Sequence, residues 1–213
     1  MRFKISVPAT SANIGPGFDV WGMALSLRNR FNFETTSHTN GTNYCNISFN
    51  YDDTVKTVAL RDPEKALPNN DRNLIAKSYL YLFRRAELQP KPIQIQADIH
   101  IPLARGLGSS STATLAGMVA ANEVLRHYYN KAYPIEKVFE FATRLEGHPD
   151  NIAPALWGGW ILTLYDTAQQ LYIPFPLEIN APLRLAGVVP HDTLSTQKAR
   201  EVLPSKVDLS TVS

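Results

Sequence analysis

Apolar and polar positions alternate with period two in several stretches of this chain, and the alternation lays out its strands. The cleanest stretch runs from Ile93 to Ile101, with Ile93, Ile95, Ala97, Ile99 and Ile101 on one face and polar residues on the other, the signature of a half-buried strand. Phe3 to Pro8 alternates weakly and ends in a proline, as a strand does. From Leu25 to Thr36 the apolar Leu25, Leu27, Phe31 and Phe33 are separated by Arg28, Arg30, Asn32 and Glu34, which predicts a strand pair. Tyr44 to Tyr51 repeats the pattern, and the polar Thr39–Asn43, with its glycine, predicts a hairpin turn between them. Trp160–Tyr165, after the Gly158-Gly159 break, and Leu183–Val189 read as further strands.

Helical spacing takes over elsewhere. Leu74, Ile75, Tyr79 and Leu82 recur at helical intervals within Asn73–Arg85, and Asp71 is the expected N-cap. A long helix is expected over Ser109–Arg126. A second begins at Pro134, suited to a first helical position, and runs to Leu145. On a wheel, Ile135, Val138, Phe139, Ala142 and Leu145 share its buried face, with Glu140 nearly opposite. Strands outnumber helices early and do not alternate strictly with them, so the class is α+β rather than a doubly wound sheet. No internal repeat or low-complexity linker is found. The final stretch, Val202–Ser213, is polar and brings no closing element, so the reading expects a chain cut short there.

Composition narrows the function classes. The 213 residues are 44% hydrophobic and 19% charged, ordinary for a soluble globular protein, with a formal net charge of +2. No cluster of Lys and Arg interleaved with aromatics occurs, which argues against nucleic acid as a partner. The single cysteine, Cys45, excludes an intramolecular disulfide and a cysteine metal knuckle, so a reducing, cytoplasmic setting is expected. No apolar run suits a signal peptide or reaches the ~20 residues of a spanning helix, so no membrane role is expected.

Candidate chemistry centres on Pro102-Leu103-Ala104-Arg105-Gly106-Leu107-Gly108-Ser109-Ser110-Ser111, just ahead of a helix rich in Ala, Leu, Met and Val. Glycines let backbone N–H groups turn inward and approach closely, and a helix start adds free donors and partial positive charge, so the stretch suits an anion. Serine hydroxyls can donate to phosphate oxygens or ligate Mg²⁺. The stretch is neither a Walker A loop, which needs Gly-Lys-Ser/Thr, nor a dinucleotide fingerprint, whose third glycine is replaced by Ser111. On its own it also fits a Gly-Ser turn capping a buried helix.

Pro102, Gly106, Leu107, Gly108, Ser109, Ser110 and Ser111 resemble the phosphate-binding motif of the GHMP kinases, the family of galactokinase, homoserine kinase and mevalonate kinase. Pro8–Asp19 and Glu146–Ala155 are similar to two stretches of the homoserine kinases within it. The resemblance spans Phe3 to Pro204. It implies an α+β fold like domain 2 of ribosomal protein S5, with a mixed or antiparallel sheet and helices packed on one face. It also implies transfer of the γ-phosphoryl of ATP to the hydroxyl of L-homoserine, with Mg²⁺. ATP would lie along Pro102–Ser111. Arg105 falls inside that stretch at a position that varies among such kinases, and it is given no role of its own.

By the same resemblance, Asn13, Asp19, His148, Asp150 and Arg200 bind the amino-acid substrate, and Thr196 lies near the reacting hydroxyl. Glu140, eleven residues before Asn151, would ligate Mg²⁺ together with Ser110. Read without the family, His148 and Asp19 are ordinary capping and loop residues, and Glu140 and Arg200 are solvent-facing. Asn151 stands where several such kinases carry an Asp, and an amide cannot accept a proton. Catalysis would then rest on positioning and charge neutralisation, with the hydroxyl proton leaving late.

The expected division is an ATP-binding domain over 1–165 and the start of a second domain over 166–213. The family's third, glycine-rich motif does not occur, so weak nucleotide binding and poor turnover are expected of this chain alone. Three other readings compete: a GHMP kinase for mevalonate or a sugar, a non-catalytic binding module on the same fold, and an inactive fragment that only forms a homodimer.

Overall fold

The structure, a computed structural model, describes residues 1–15, 17–53, 55, 67–180, 184–187 and 206. Among them a six-stranded mixed sheet is built from β1 (Arg2–Ala12), β2 (Trp21–Thr35), β3 (Cys45–Tyr51), β4 (Ile93–Ile99), β5 (Trp160–Asp166) and β6 (Leu171–Leu177). The helices are α1 (Leu74–Ala86), α2 (Ser109–Tyr129), α3 (Ile135–Glu146) and α4 (Ile152–Trp157). The α+β expectation holds.

β2 organises the sheet. It pairs antiparallel with β1 along most of its length, with β4 over Arg30–Thr35 and with β5 over Trp21–Met23. The expected strand pair over Leu25–Thr36 is therefore one long strand, whose two ends recruit different neighbours. The expected hairpin also fails. Asn40 and Asn43 do form a tight local turn, but β4 lies between β2 and β3, and β3 runs parallel to β4. Alternation specifies a strand's faces, not its neighbours, so the turn was legible and the partner was not.

The helices cover the sheet face carrying Phe31, Phe33, Ile47, Ile93, Ile95 and Ala97, all buried; α2 and α4 meet β1 and β2, and α3 packs on α2 and α4. Tyr79, Leu82 and Phe83 of α1 and Leu115, Met118 and Leu125 of α2 fill the layer above. Fully burying each such side chain contributes roughly 1.5–3 kcal/mol. The opposite face presents Asn46, Ser48, Gln94 and Gln96 to solvent. α1 and α2 approach closely at Gly117, where a Cβ would sit 2.1 Å from the carbonyl oxygen of Ile75.

Local details correct the sequence reading. The N-cap of α1 is Asn73, whose Oδ1 accepts from the N–H of Ile75 at 2.9 Å. Asp71 instead accepts from the N–H groups of Tyr44 and Cys45 and fixes the start of β3. Burial, with the Asp71 carboxylate beside it, pushes the Cys45 thiol up from its ordinary range. On α3, Ile135 is exposed and Phe141 is buried, so the apolar face is rotated from the one expected. α4 and β6 were not foreseen, because Pro154, Pro174 and Pro176 mask their patterns. Within the expected strand Leu183–Val189, the described residues 184–187 form no strand. No helix among the described residues is long and apolar enough to cross a membrane.

Candidate active site

β4 ends at Ile99, and the chain turns through Pro102–Gly108 before α2 starts. Ala104, Gly106 and Gly108 all adopt left-handed backbone, at φ of 53, 71 and 65°. Those turns bring the chain round so that the first-turn N–H groups of α2 open toward the site. Gly108 is the N-cap and makes no side-chain capping bond, so these donors carry the partial positive charge of a 21-residue helix.

A buried amide fixes both ends of the loop. Asn29 Oδ1 on β2 accepts from the N–H groups of His100 and Ile101 at 2.9 and 3.0 Å, and its Nδ2 donates to Thr112 Oγ1 at 3.1 Å. Within the loop, Arg105 donates to the carbonyls of Leu103 and Ala104.

The serines meet a carboxylate. Ser110 and Ser111 donate to Glu146 Oε1 at 2.5 and 3.1 Å, and Thr114 donates to Glu146 Oε2 at 3.1 Å. Glu146 is the last residue of α3, where the chain turns away at Gly147 (φ 94°). Glu140, the residue expected beside Ser110, is instead held by Lys137 at 2.7 Å and Arg144 at 2.9 Å, one turn either side of it on the same helix. Residue counting picked Glu140; the helix end, which carries Glu146 onto the serines, could be known only from how α3 packs beside α2.

Glu146–Asn151 forms the next wall. His148 Nδ1 and Asp150 Oδ1 lie 2.5 Å apart, and Asn151 Nδ2 donates to the same Asp150 oxygen at 3.3 Å. Asp150 is buried, and its Oδ2 has no hydrogen-bond partner among the described residues. A buried carboxylate oxygen facing no protein donor is a ready acceptor for a ligand N–H or O–H. Gly22 of β2 passes under this turn so closely that a Cβ would lie 1.8 Å from the Asp150 carbonyl oxygen.

Just ahead of Gly22 on the chain, Asn13 and Asp19 bracket the loop between β1 and β2. Both adopt left-handed backbone, at φ of 56 and 59°, and Asn13 Oδ1 accepts from the Asp19 N–H at 2.8 Å. Thr196 and Arg200 lie outside the described residues.

The structure thus brings together the three stretches singled out in the sequence. Thr10 joins them: its N–H donates to the Leu107 carbonyl, and its hydroxyl donates to Asn151 Oδ1 at 2.7 Å. Glu146 and Thr10 are the residues that sequence reasoning left without a role. Both stood inside the quoted stretches, and no residue spacing marked them out.

The sheet, the loop and the serine-rich helix start have counterparts in known proteins. Residues 73–159 match the model for the GHMP kinases N terminal domain. Over 205 residues the chain is 38% identical to a homoserine kinase of Clostridium botulinum, a match covering 96% of this chain and 60% of that protein. A solved homoserine kinase from Cytophaga hutchinsonii superposes with a TM-score of 0.73 at 25% identity, over 99% of this chain and 62% of that one. The mevalonate kinase of Methanococcus jannaschii, at 16% identity, covers 76% of this chain and 53% of its own with a TM-score of 0.51, a likeness of fold alone. The chain spans about 60% of the length of the curated relatives it matches.

Proposed function

This chain carries a GHMP kinase N-terminal domain, and from that premise we propose that the protein containing it is a homoserine kinase, transferring the γ-phosphoryl of ATP to the hydroxyl of L-homoserine. The product is O-phospho-L-homoserine, on the route to threonine. The observation that carries the reading is the junction of a phosphate-binding loop with the His148–Asp150–Asn151 turn through Thr10. Relatives named homoserine kinase, 35–39% identical over nearly the whole chain, support the choice of alcohol.

In this reading the triphosphate lies along Pro102–Ser111, held by the inward N–H groups of the loop and by the start of α2. Ser110 and Glu146 suit a hard divalent cation, since both offer oxygen and the two side chains meet at the start of α2. We assign to Glu146 the metal-binding role that spacing gave to Glu140, whose carboxylate is engaged by Lys137 and Arg144. Mg²⁺ held there would neutralise charge on the phosphate oxygens.

The acceptor lies on the other side. Asp150 Oδ2, buried and with no donor among the described residues, would accept from the substrate's ammonium or hydroxyl, with His148 fixing the carboxylate from Oδ1. Asn13 and Asp19 form the rim, and Arg200 and Thr196 complete the amino-acid site, as a guanidinium fork completes the binding of a carboxylate. Asn151 orients the hydroxyl without taking its proton, which passes late in the transfer to the phosphoryl oxygens. Residues 1–165 form the ATP-binding domain and 166 onward begins a second one, although the β5–β6 hairpin spans that division. A homodimer and a cytoplasmic setting complete the proposal.

A panel of L-homoserine, mevalonate and sugars, assayed for ADP release by the gene product that contains this chain, tests the substrate. Homoserine should exceed the others in kcat/KM by about 100-fold or more. A preference for mevalonate or a sugar would remove the substrate assignment and leave the phosphate site. Asn151→Asp tests the absence of a base: it should not raise kcat, and a sharp rise at unchanged KM would contradict the mechanism.

A further inference from the structure

Thr10 joins the two sides of the site, and its hydroxyl has so far been given no task in the transfer itself. It lies on β1 just beyond a register shift between Pro8 and Thr10, an irregularity that re-aims the side chains around it, and it is fully buried. Its N–H donates to Leu107 O at 3.2 Å, inside the phosphate loop. Its hydroxyl donates to Asn151 Oδ1 at 2.7 Å. A Cβ on Gly108 would come within 1.9 Å of Thr10 Oγ1 and 3.2 Å of Asn151 Oδ1, so the loop closes directly on this contact.

The contact also has a direction. A threonine hydroxyl can donate or accept, so Thr10 by itself does not decide which way the Asn151 amide points. Asp150 decides it. Asn151 Nδ2 lies 3.3 Å from Asp150 Oδ1, and a flipped amide would set its oxygen against a carboxylate oxygen. With Nδ2 turned to Asp150, Oδ1 faces Thr10 and takes the hydroxyl proton. Both hydrogen bonds therefore favour a single orientation of the amide.

We propose, resting on the kinase reading above, that Thr10 is a positioning residue whose hydroxyl holds the Asn151 amide in register with the phosphate loop. It meets neither the nucleotide nor the acceptor in this arrangement. Its loss frees the amide to rotate and lets the acceptor side drift against the phosphate side. A misplacement of about 1 Å between reacting groups can lower turnover by ~100-fold, while each substrate still binds through its own contacts. The expected signature is a fall in kcat with little change in either KM.

The test compares Thr10→Val, which keeps the shape and removes the hydroxyl, with Thr10→Ser, which keeps the hydroxyl, in the gene product containing this chain. Two readouts are taken: steady-state kinetics with ATP and L-homoserine, and the side-chain amide NMR signals of Asn151, assigned with Asn151→Ala. Thr10→Val should lower kcat by about 10- to 100-fold, with both KM values within ~3-fold, and should shift or broaden the Asn151 signals. Thr10→Ser should stay within ~3-fold of wild type and keep those signals. The proposal is overturned if Thr10→Val retains kcat, or if Thr10→Ser falls as far, which would assign the effect to packing of the methyl group. A wild-type protein inactive toward homoserine would sink the substrate reading instead; the NMR arm would still decide, unchanged Asn151 signals in Thr10→Val counting against Thr10. If circular dichroism shows Thr10→Val unfolded, Thr10→Ala is judged by the same thresholds.

Discussion

The phosphate side and the acceptor side of this site are built by opposite means. On the proposed phosphate side the candidate surface is main chain: the backbone turns left-handed at Gly106 and Gly108, and side chains such as Asn29 work behind the loop to hold it. On the proposed acceptor side the candidate binding groups are side chains, Asn13, Asp19, His148 and Asp150, carried on turns. Both sides use left-handed backbone, but the acceptor side places Asn and Asp there rather than Gly. Those two residues tolerate that region best among residues with a Cβ, and they still incur about 1 kcal/mol or more of strain each. A surface made of backbone needs the absence of side chains; a surface made of side chains accepts strain to present them.

Substitutions should separate the two sides, and the largest effect is expected at Gly108. A methyl group there would be strained at φ 65° and would strike Thr10 Oγ1. Gly108→Ala should therefore cost at least ~3 kcal/mol of stability and about 100-fold or more in turnover. Gly106→Ala is the control. It has the same kind of backbone, at φ 71°, but open space around a Cβ, so thermal melts should show only the conformational penalty of ~1–2 kcal/mol. Equal losses at the two positions would mean that the contact with Thr10 is unimportant.

Next in size is the carboxylate on the serines. Glu146→Gln should lower kcat by about 100-fold and raise the Mg²⁺ concentration needed for half-maximal rate. Glu140→Gln should change either quantity by no more than ~3-fold, since it breaks only half-exposed ion pairs. The reverse ranking would return the metal to Glu140. On the acceptor side, Asp150→Asn should raise KM for homoserine by about 10-fold or more while nucleotide affinity, measured by calorimetry, stays within ~3-fold.

The smallest effect belongs to the core beneath both. Because burial raises the folded-state pKa of Cys45 above the ordinary 9.0, its stabilising contribution is complete below that value and declines as pH rises past it. The unfolding free energy from denaturant titrations should fall above about pH 9 by up to ~1.4 kcal/mol per pH unit, and Cys45→Ala should flatten that slope.

The same contrast explains how much could be read from the chain. Ile93–Ile99, Cys45–Tyr51 and α1 followed from local period, and the Gly-Ser turn ahead of α2 followed from glycine spacing, because both signals are written in consecutive residues. Partners were not. Whether β3 pairs with β2 or β4 depends on which strand fills the gap. Whether Glu140 or Glu146 reaches Ser110 depends on the angle at which α3 meets α2 and on where Gly147 ends it. Asp71, expected as a helix cap, serves a strand 26 residues away in sequence. Thr10 was invisible for the same reason, since its partner Asn151 lies 141 residues on.

The most direct measurement follows label from γ-³²P-ATP into L-homoserine, using the gene product that contains this chain beside its Glu146→Gln and Asp150→Asn variants. The account predicts Mg²⁺-dependent formation of labelled O-phosphohomoserine in the wild type. In Glu146→Gln it should be slowed by about 100-fold at every homoserine concentration, and in Asp150→Asn it should be recovered at high homoserine. Label released only as inorganic phosphate, with or without homoserine, would contradict it.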